Sequence, residues 1–180
     1  MSNASAKSSS VRPVLVLVAI CLVAGALLGV VHAKTAPIAD AHAEQKALET
    51  YAALVPEASS FESVPCEVNG CTAALEARDA ASAVIAHIIV AQSKGYGGQV
   101  PIAVAFGPDS TVLAITAMAN DETPGLGTKI ANDSYIGQYV GLVAEPTDAS
   151  QIDLISGATI SSKAALAAFN IAVEAYEEVS

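Results

Sequence analysis

Near the C-terminus the sequence reads "DLISGATISSKAALAAFNIAVEAYEEVS", and its small polar segment Ser156-Gly157-Ala158-Thr159 has a composition suited to holding an anion. Gly157 and Ala158 leave the backbone bare beside the Thr159 hydroxyl, and Ser161 or Ser162 is placed to start the following helix as a capping residue. Free N–H groups at a helix N-terminus carry partial positive charge, so a phosphate near Thr159 suits this pattern. A second segment, "NDETPGLGTKI" from Asn120 to Ile130, places Pro124-Gly125 and Gly127 in a tight loop where backbone can approach a ligand. By spacing alone, an ordinary surface turn explains that loop equally well.

Several other chemistries are excluded. "GLGTK" lacks the adjacent Gly-Lys pair of a phosphate-binding P-loop. "GYGGQV" has Val100 where a dinucleotide loop has its last glycine, and it precedes a hairpin. A Ser-x-x-Lys motif ending at Lys163 would need serine where Ile160 stands, and no Gly-x-Ser-x-Gly occurs. No metal site is expected: His32, His42 and His87 are scattered singly, and Cys66 and Cys71 have no second ligand pair at zinc spacing. His87, inside "AVIAHIIVA", reads as a core or sheet-face residue.

The elements that must position these segments follow from patterning. Val14 to Val31 is an 18-residue uncharged apolar run, about 27 Å as a helix and close to the hydrocarbon thickness of a bilayer. A basic flank and the Val31-His32-Ala33 ending also suit a cleaved signal, but the run exceeds the roughly 7–15 residues of a signal core. An uncleaved anchor is therefore expected. Gly25 and Gly29 are spaced for helix–helix approach, although glycine is also simply common in membrane helices.

Lys7 and Arg12 precede the run, which predicts a cytoplasmic N-terminus. After it come all 18 acidic residues against six basic ones, a net of −12 with His neutral. A surface so acidic is unsuited to nucleic acid or anionic lipid. The expected product is a single-pass protein of the cell membrane with its main domain outside the cytoplasm. There Cys66 and Cys71, flanking the Asn69-Gly70 turn signal, either close a small disulfide or remain thiols.

Residues 32–56 read as a linker and alanine-rich stalk helix, with Ala43, Ala47, Leu48 and Tyr51 at helical spacing and Pro56 ending the pattern. Extended pieces are expected around Phe61 to Leu75 and a buried strand from Ser82 to Ala91. "PIAVAFGPDSTVLAITAMA" predicts a hairpin turning at Gly107 to Ser110. "GTKIANDSYIGQYVG" suggests a short helix, and a terminal helix runs from Ser162 to Val179 with Leu166, Phe169, Val173 and Tyr176 on one stripe. Strands followed by a helix, without regular alternation, predict an α+β domain. The expected division is a cytoplasmic N-terminus (1–13), an anchor (14–31), linker and stalk (32–56) and the domain itself (57–180).

Here the motifs converge on a family. "DLISGAT", Asp153 to Thr159, resembles the flavinylation motif Asp-x-x-Ser/Thr-Gly-Ala-Thr of FMN-binding domains, and "ETPGLGTKI", Glu122 to Ile130, resembles the upstream loop of the G subunit of Rnf ion-translocating oxidoreductases. "GYGG", the hairpin and the apolar N-terminal segment fit that same component, in the same order, over nearly the whole chain. The resemblance implies an extracytoplasmic FMN-binding domain with a small antiparallel sheet and flanking helices behind one transmembrane helix. It implies that a flavin transferase joins FMN through its phosphate to Thr159, with Asp153, Ser156, Gly157 and Ala158 forming the recognition turn. Thr123, Gly125, Leu126 and Gly127 would line the isoalloxazine ring. Lys129 either supplies a cation near ring or phosphate or simply faces solvent.

The implied function is electron relay within an Rnf-type ferredoxin:NAD oxidoreductase, beside other membrane and iron–sulfur subunits. The chain would not be catalytic alone, and the uncharged span itself offers no ion path. The C subunit of sodium-translocating NADH:quinone reductase, a stand-alone flavin domain of a reductase, and a non-redox binding module are the alternatives.

Overall fold

The computed structural model describes residues 11–180. Residues 1–10, which include Lys7 of the charge reading and most of the expected cytoplasmic segment, lie outside the described residues. The chain divides into two units, one ending at Leu48 and the other running from Glu49 to Ser180.

Helix α1 spans Val11–Leu54 without interruption, where the pattern predicts a linker between an anchor and a stalk. The physical reason is composition. The stretch around Pro37 is rich in alanine, the best helix former, which offsets the lost hydrogen bond and the ring clash of one interior proline. Within α1, Pro13–Val30 is long and apolar enough to cross a membrane, and it is exposed along its length.

The second unit is built on a five-stranded antiparallel meander, β1 (Ser60–Val64), β2 (Cys71–Arg78), β3 (Val84–Lys94), β4 (Gln99–Phe106) and β5 (Val112–Ala117), in spatial order 1-2-3-4-5. Sequential hairpins need only short connections, so chain order and sheet order coincide. The expected hairpin is present, with Ile102 opposite Ala117 and Val104 opposite Ile115. After β5 come a 3-10 turn (Gly127–Ala131), the short helix α2 (Asp133–Ile136) and another 3-10 turn (Gly137–Tyr139), in place of a single short helix. Helix α3 spans Thr159–Val179.

Alternation along the strands gives the sheet two buried faces. Ile89, Ala91, Val100, Ile102, Val104 and Phe106 point to one face, where α3 lies over β3 and β4. Helix α3 meets them with Ala165, Ala168, Phe169, Ala172, Val173 and Tyr176, a helical stripe whose small members allow close approach to the sheet. The Tyr176 ring stacks on Phe106 with centroids 4.6 Å apart, and its hydroxyl donates to the Gly107 carbonyl at 3.2 Å. On the opposite face Ala77, Ala86, Ile88, Val90, Ala103 and Ala105 are also buried. There the end of α1 buries Tyr51, whose ring lies 6.1 Å from Phe61 of β1.

His87 is a sheet residue, its ring edge-on to Tyr176 at 5.6 Å. Cys66 and Cys71 stand as half-buried free thiols on either side of Gly70, with the Cys71 pKa pushed up to about 12 by burial and by its neighbour Cys66.

Candidate functional site

Three turns that are far apart in sequence meet at the N-terminus of α3. The first is Gly95–Gly98, the β3–β4 connection, closed by the Gly95 N–H donating to the Gly98 carbonyl at 2.7 Å. The second is Thr123–Leu126, where the Leu126 N–H donates to the Thr123 carbonyl at 3.1 Å and Gly125 has φ +73°. Proline at the second position and a positive-φ glycine at the third are the residues a type II turn requires. The third is Ile155–Ala158, with the Ala158 N–H donating to the Ile155 carbonyl at 3.0 Å and Gly157 at φ +80°. It has the same hydrogen bond and the same positive-φ glycine at its third position. The second and third turns touch: a Cβ at Gly157 would sit 3.4 Å from Leu126 Cδ1.

Between them lies a cavity of about 470 Å³ lined by Tyr96, Glu122, Thr123, Leu126, Gly127 and the run 157–161. Its size falls within the range of ligand sites. Thr159 is the first residue of α3 and is exposed. The preceding residue, Ala158, provides no side-chain cap, which leaves the N–H groups of the first turn available to an anion.

The expected capping serines have other partners. Ser162, fully buried, donates to the Ala158 carbonyl at 3.0 Å and accepts the Ile155 N–H at 3.1 Å, tying the third turn to the helix. The Ser161 hydroxyl donates to the Glu122 carboxylate. Both hydroxyls are buried, so each must find a partner inside the protein rather than cap from outside. Helix α2 supports the same place, since the Tyr135 hydroxyl donates to the Ser162 carbonyl at 2.7 Å.

Of the residues singled out in the sequence, Thr123, Leu126, Gly127, Gly157, Ala158 and Thr159 line the cavity. Gly125 and Ser156 shape the adjoining turns without lining it. Asp153 is exposed, and its backbone is held by Gln138, which accepts the Asp153 N–H at 2.7 Å. Lys129 is exposed and is not among the lining residues.

Sequence reasoning gave Ser161 only a capping role and missed Tyr96, Ile160 and above all Glu122, which is only 3% exposed. Glu122 accepts the Gly97 N–H at 2.9 Å and the Ser161 hydroxyl. Burial alone would raise its carboxyl, but the donors Ser161, Gly97, Tyr96 and Gly98 outweigh that and hold it below the usual carboxylate value. The available signal was its position immediately before the Thr-Pro-Gly turn, beside glycines on both sides of the site.

An FMN-sized group fits this donor set. A mostly carbon-lined slot suits a flat ring, bare glycine backbone permits close approach, and the α3 N-terminus suits a phosphate. Residues 95–174 match the family model of the FMN-binding domain, a range that contains every lining residue. The chain is 32% identical over 161 residues to the G subunit of a proton-translocating ferredoxin:NAD(+) oxidoreductase complex from Clostridium ljungdahlii, covering 86% of this chain and 84% of that protein. It is also 32% identical over 174 residues to the G subunit of an ion-translocating oxidoreductase complex from Methanosarcina acetivorans, with 91% and 92% covered. Among solved structures, the C subunit of the Na(+)-translocating NADH-quinone reductase from Parabacteroides distasonis has a similar fold, with TM-score 0.50 and 20% identity over 59% of this chain and 61% of that one. Two relatives at this identity over most of their length, and a cavity contained within the matched domain, assign the chain to the G-subunit family of ion-translocating oxidoreductase complexes.

Proposed function

We propose that this chain is the membrane-anchored electron-transfer subunit of an Rnf-type ferredoxin:NAD oxidoreductase, carrying FMN as a phosphoester on Thr159. The observation that carries the reading is the meeting of the two glycine turns at one cavity, with an exposed threonine at the head of the helix. When bound, a flavin supplies both one- and two-electron transfer, while the protein supplies position and electrostatics. Leu126 and Gly127 form one wall for the ring; Gly157, Ala158 and the first turn of α3 hold the phosphate end. Attachment forms a bond from the Thr159 oxygen to the flavin phosphorus, releases the hydroxyl proton, and displaces the leaving group of an activated FMN donor held by a flavin transferase. Asp153, Ser156, Gly157 and Ala158 present the turn that this enzyme reads.

A tether matters most outside the cytoplasm, where a dissociated flavin would be lost. The reading therefore places the Glu49–Ser180 unit there, with the N-terminus in the cytoplasm and the apolar part of α1 in the membrane beside the other subunits of the complex. Denaturing-gel fluorescence in cells containing flavin transferase tests the attachment. The wild-type band fluoresces and Thr159→Ala is dark. A dark wild-type band, or fluorescence that survives the substitution, overturns the proposal.

A further inference from the structure

Glu122 is the one buried carboxylate among the residues lining the cavity, and the functional reading gives it no role. Its surroundings are specific. Oε1 lies on the Gly95–Gly98 turn, Oε2 on Ser161 of α3, and its own backbone leads into the Thr123–Leu126 turn. One side chain thus joins two of the turns to the helix that carries Thr159.

The packing around it is closed. A Cβ at Gly127 would lie 2.7 Å from Glu122 Oε2 and 2.8 Å from Ser161 Oγ, and a Cβ at Gly95 would overlap Glu122 Oε1. Gly95 of one motif and Gly127 of the other are therefore packed directly against this carboxylate. Among the described residues Glu122 forms no ion pair; its partners are dipoles, namely backbone N–H groups and one hydroxyl. Dipoles hold the charge in its ionised state without cancelling it, so a net negative charge remains in the wall of the cavity.

We propose that Glu122 is a positioning residue that locks the three segments of the flavin site together, and that its uncancelled charge disfavours electron-rich forms of the bound ring and so lowers its midpoint potential. The inference rests on FMN occupying this cavity. A negative charge fixed in a poorly solvated wall acts more strongly than the same charge in water, and it opposes each electron that enters without a proton.

Glu122→Gln separates the charge from the packing. The amide keeps an oxygen for the Gly97 N–H and turns a donor toward Ser161, whose hydroxyl can accept. Ser161→Ala does the reverse, keeping the charge and removing one of its donors.

The full-length chain is produced with flavin transferase, purified in detergent, and read twice: covalent flavin by denaturing-gel fluorescence, and midpoint potential by spectroelectrochemical titration. Glu122→Gln is expected to retain attached flavin and to raise the potential, a roughly tenfold change in preference between oxidised and reduced ring reading as about 30 mV for two electrons. Ser161→Ala is expected to leave the potential at or below the wild-type value. A flavin-loaded Glu122→Gln with unchanged potential overturns the inference while leaving the functional reading intact. Equal rises in both variants also overturn it, because loss of packing alone then accounts for the change. A poorly folded Glu122→Gln leaves Ser161→Ala to decide: an upward shift there overturns the inference, and a potential at or below the wild-type value supports it. A wild-type chain without flavin overturns both readings together.

Discussion

Glu122 sets burial against hydrogen bonding, and hydrogen bonding wins: burial pushes its carboxyl up, while Ser161 and the N–H groups of Gly97, Tyr96 and Gly98 bring it below its ordinary value. The sign of the resulting pH dependence follows. A carboxyl depressed in the folded state contributes stability that is fully present above its unfolded pKa and is lost as pH falls through the folded one. Thermal melts of wild type and Glu122→Gln between about pH 3 and pH 7 should therefore differ most above roughly pH 4.5 and converge below it. A gap that stays constant across this range would remove the ionised carboxylate from the account. Thr159 belongs to the same scale. It is exposed at the first position of a helix that has no side-chain cap, and under the proposed attachment Thr159→Ala should abolish covalent fluorescence on a denaturing gel.

At the scale of elements, α3 decides whether the site exists. Its N-terminal turn forms part of the cavity, while its remaining length is fastened to the sheet by Phe169, Val173 and Tyr176. Phe169 is fully buried, with its ring 4.8 Å from Tyr139, so it couples the helix to the connection that follows β5. Phe169→Ala should cost about 3–5 kcal/mol, because a large buried ring is removed from a close-packed interior. Denaturant unfolding of the detergent-solubilised chain measures it, and a loss below about 1 kcal/mol would contradict the packing described. The helix boundary itself was only partly legible. Periodicity located the Leu166–Tyr176 stripe, but serine chemistry placed the start at Ser161 or Ser162 and not at Thr159, because the partners that draw those hydroxyls inward are remote in sequence.

At the scale of the whole molecule the two units have different physical characters. One contains an uncharged apolar stretch, Pro13–Val30, exposed throughout; the other has its own core and contains the complete cavity. Full-length protein should sediment with membranes and resist alkaline carbonate, whereas a chain beginning at Glu49 should be soluble and still fold. Recovery of full-length protein in the carbonate-soluble fraction would rule out a spanning helix.

The sequence by itself determined whatever depends on neighbours along the chain. The apolar run, the short extended segments and their hairpin, the Pro-Gly and Ser-Gly-Ala turns and the stripe of α3 all follow from local propensity and periodicity, and the two motifs carried the family resemblance. Tertiary structure alone decided what depends on distance through space: that Leu126 faces Gly157, that Lys129 lies outside the cavity, and that Glu122 reaches both the Gly95–Gly98 turn and Ser161. A buried carboxylate looks like any surface glutamate in a sequence. Only the fold brings together the donors, 25 and 39 residues away along the chain, that make its burial tolerable.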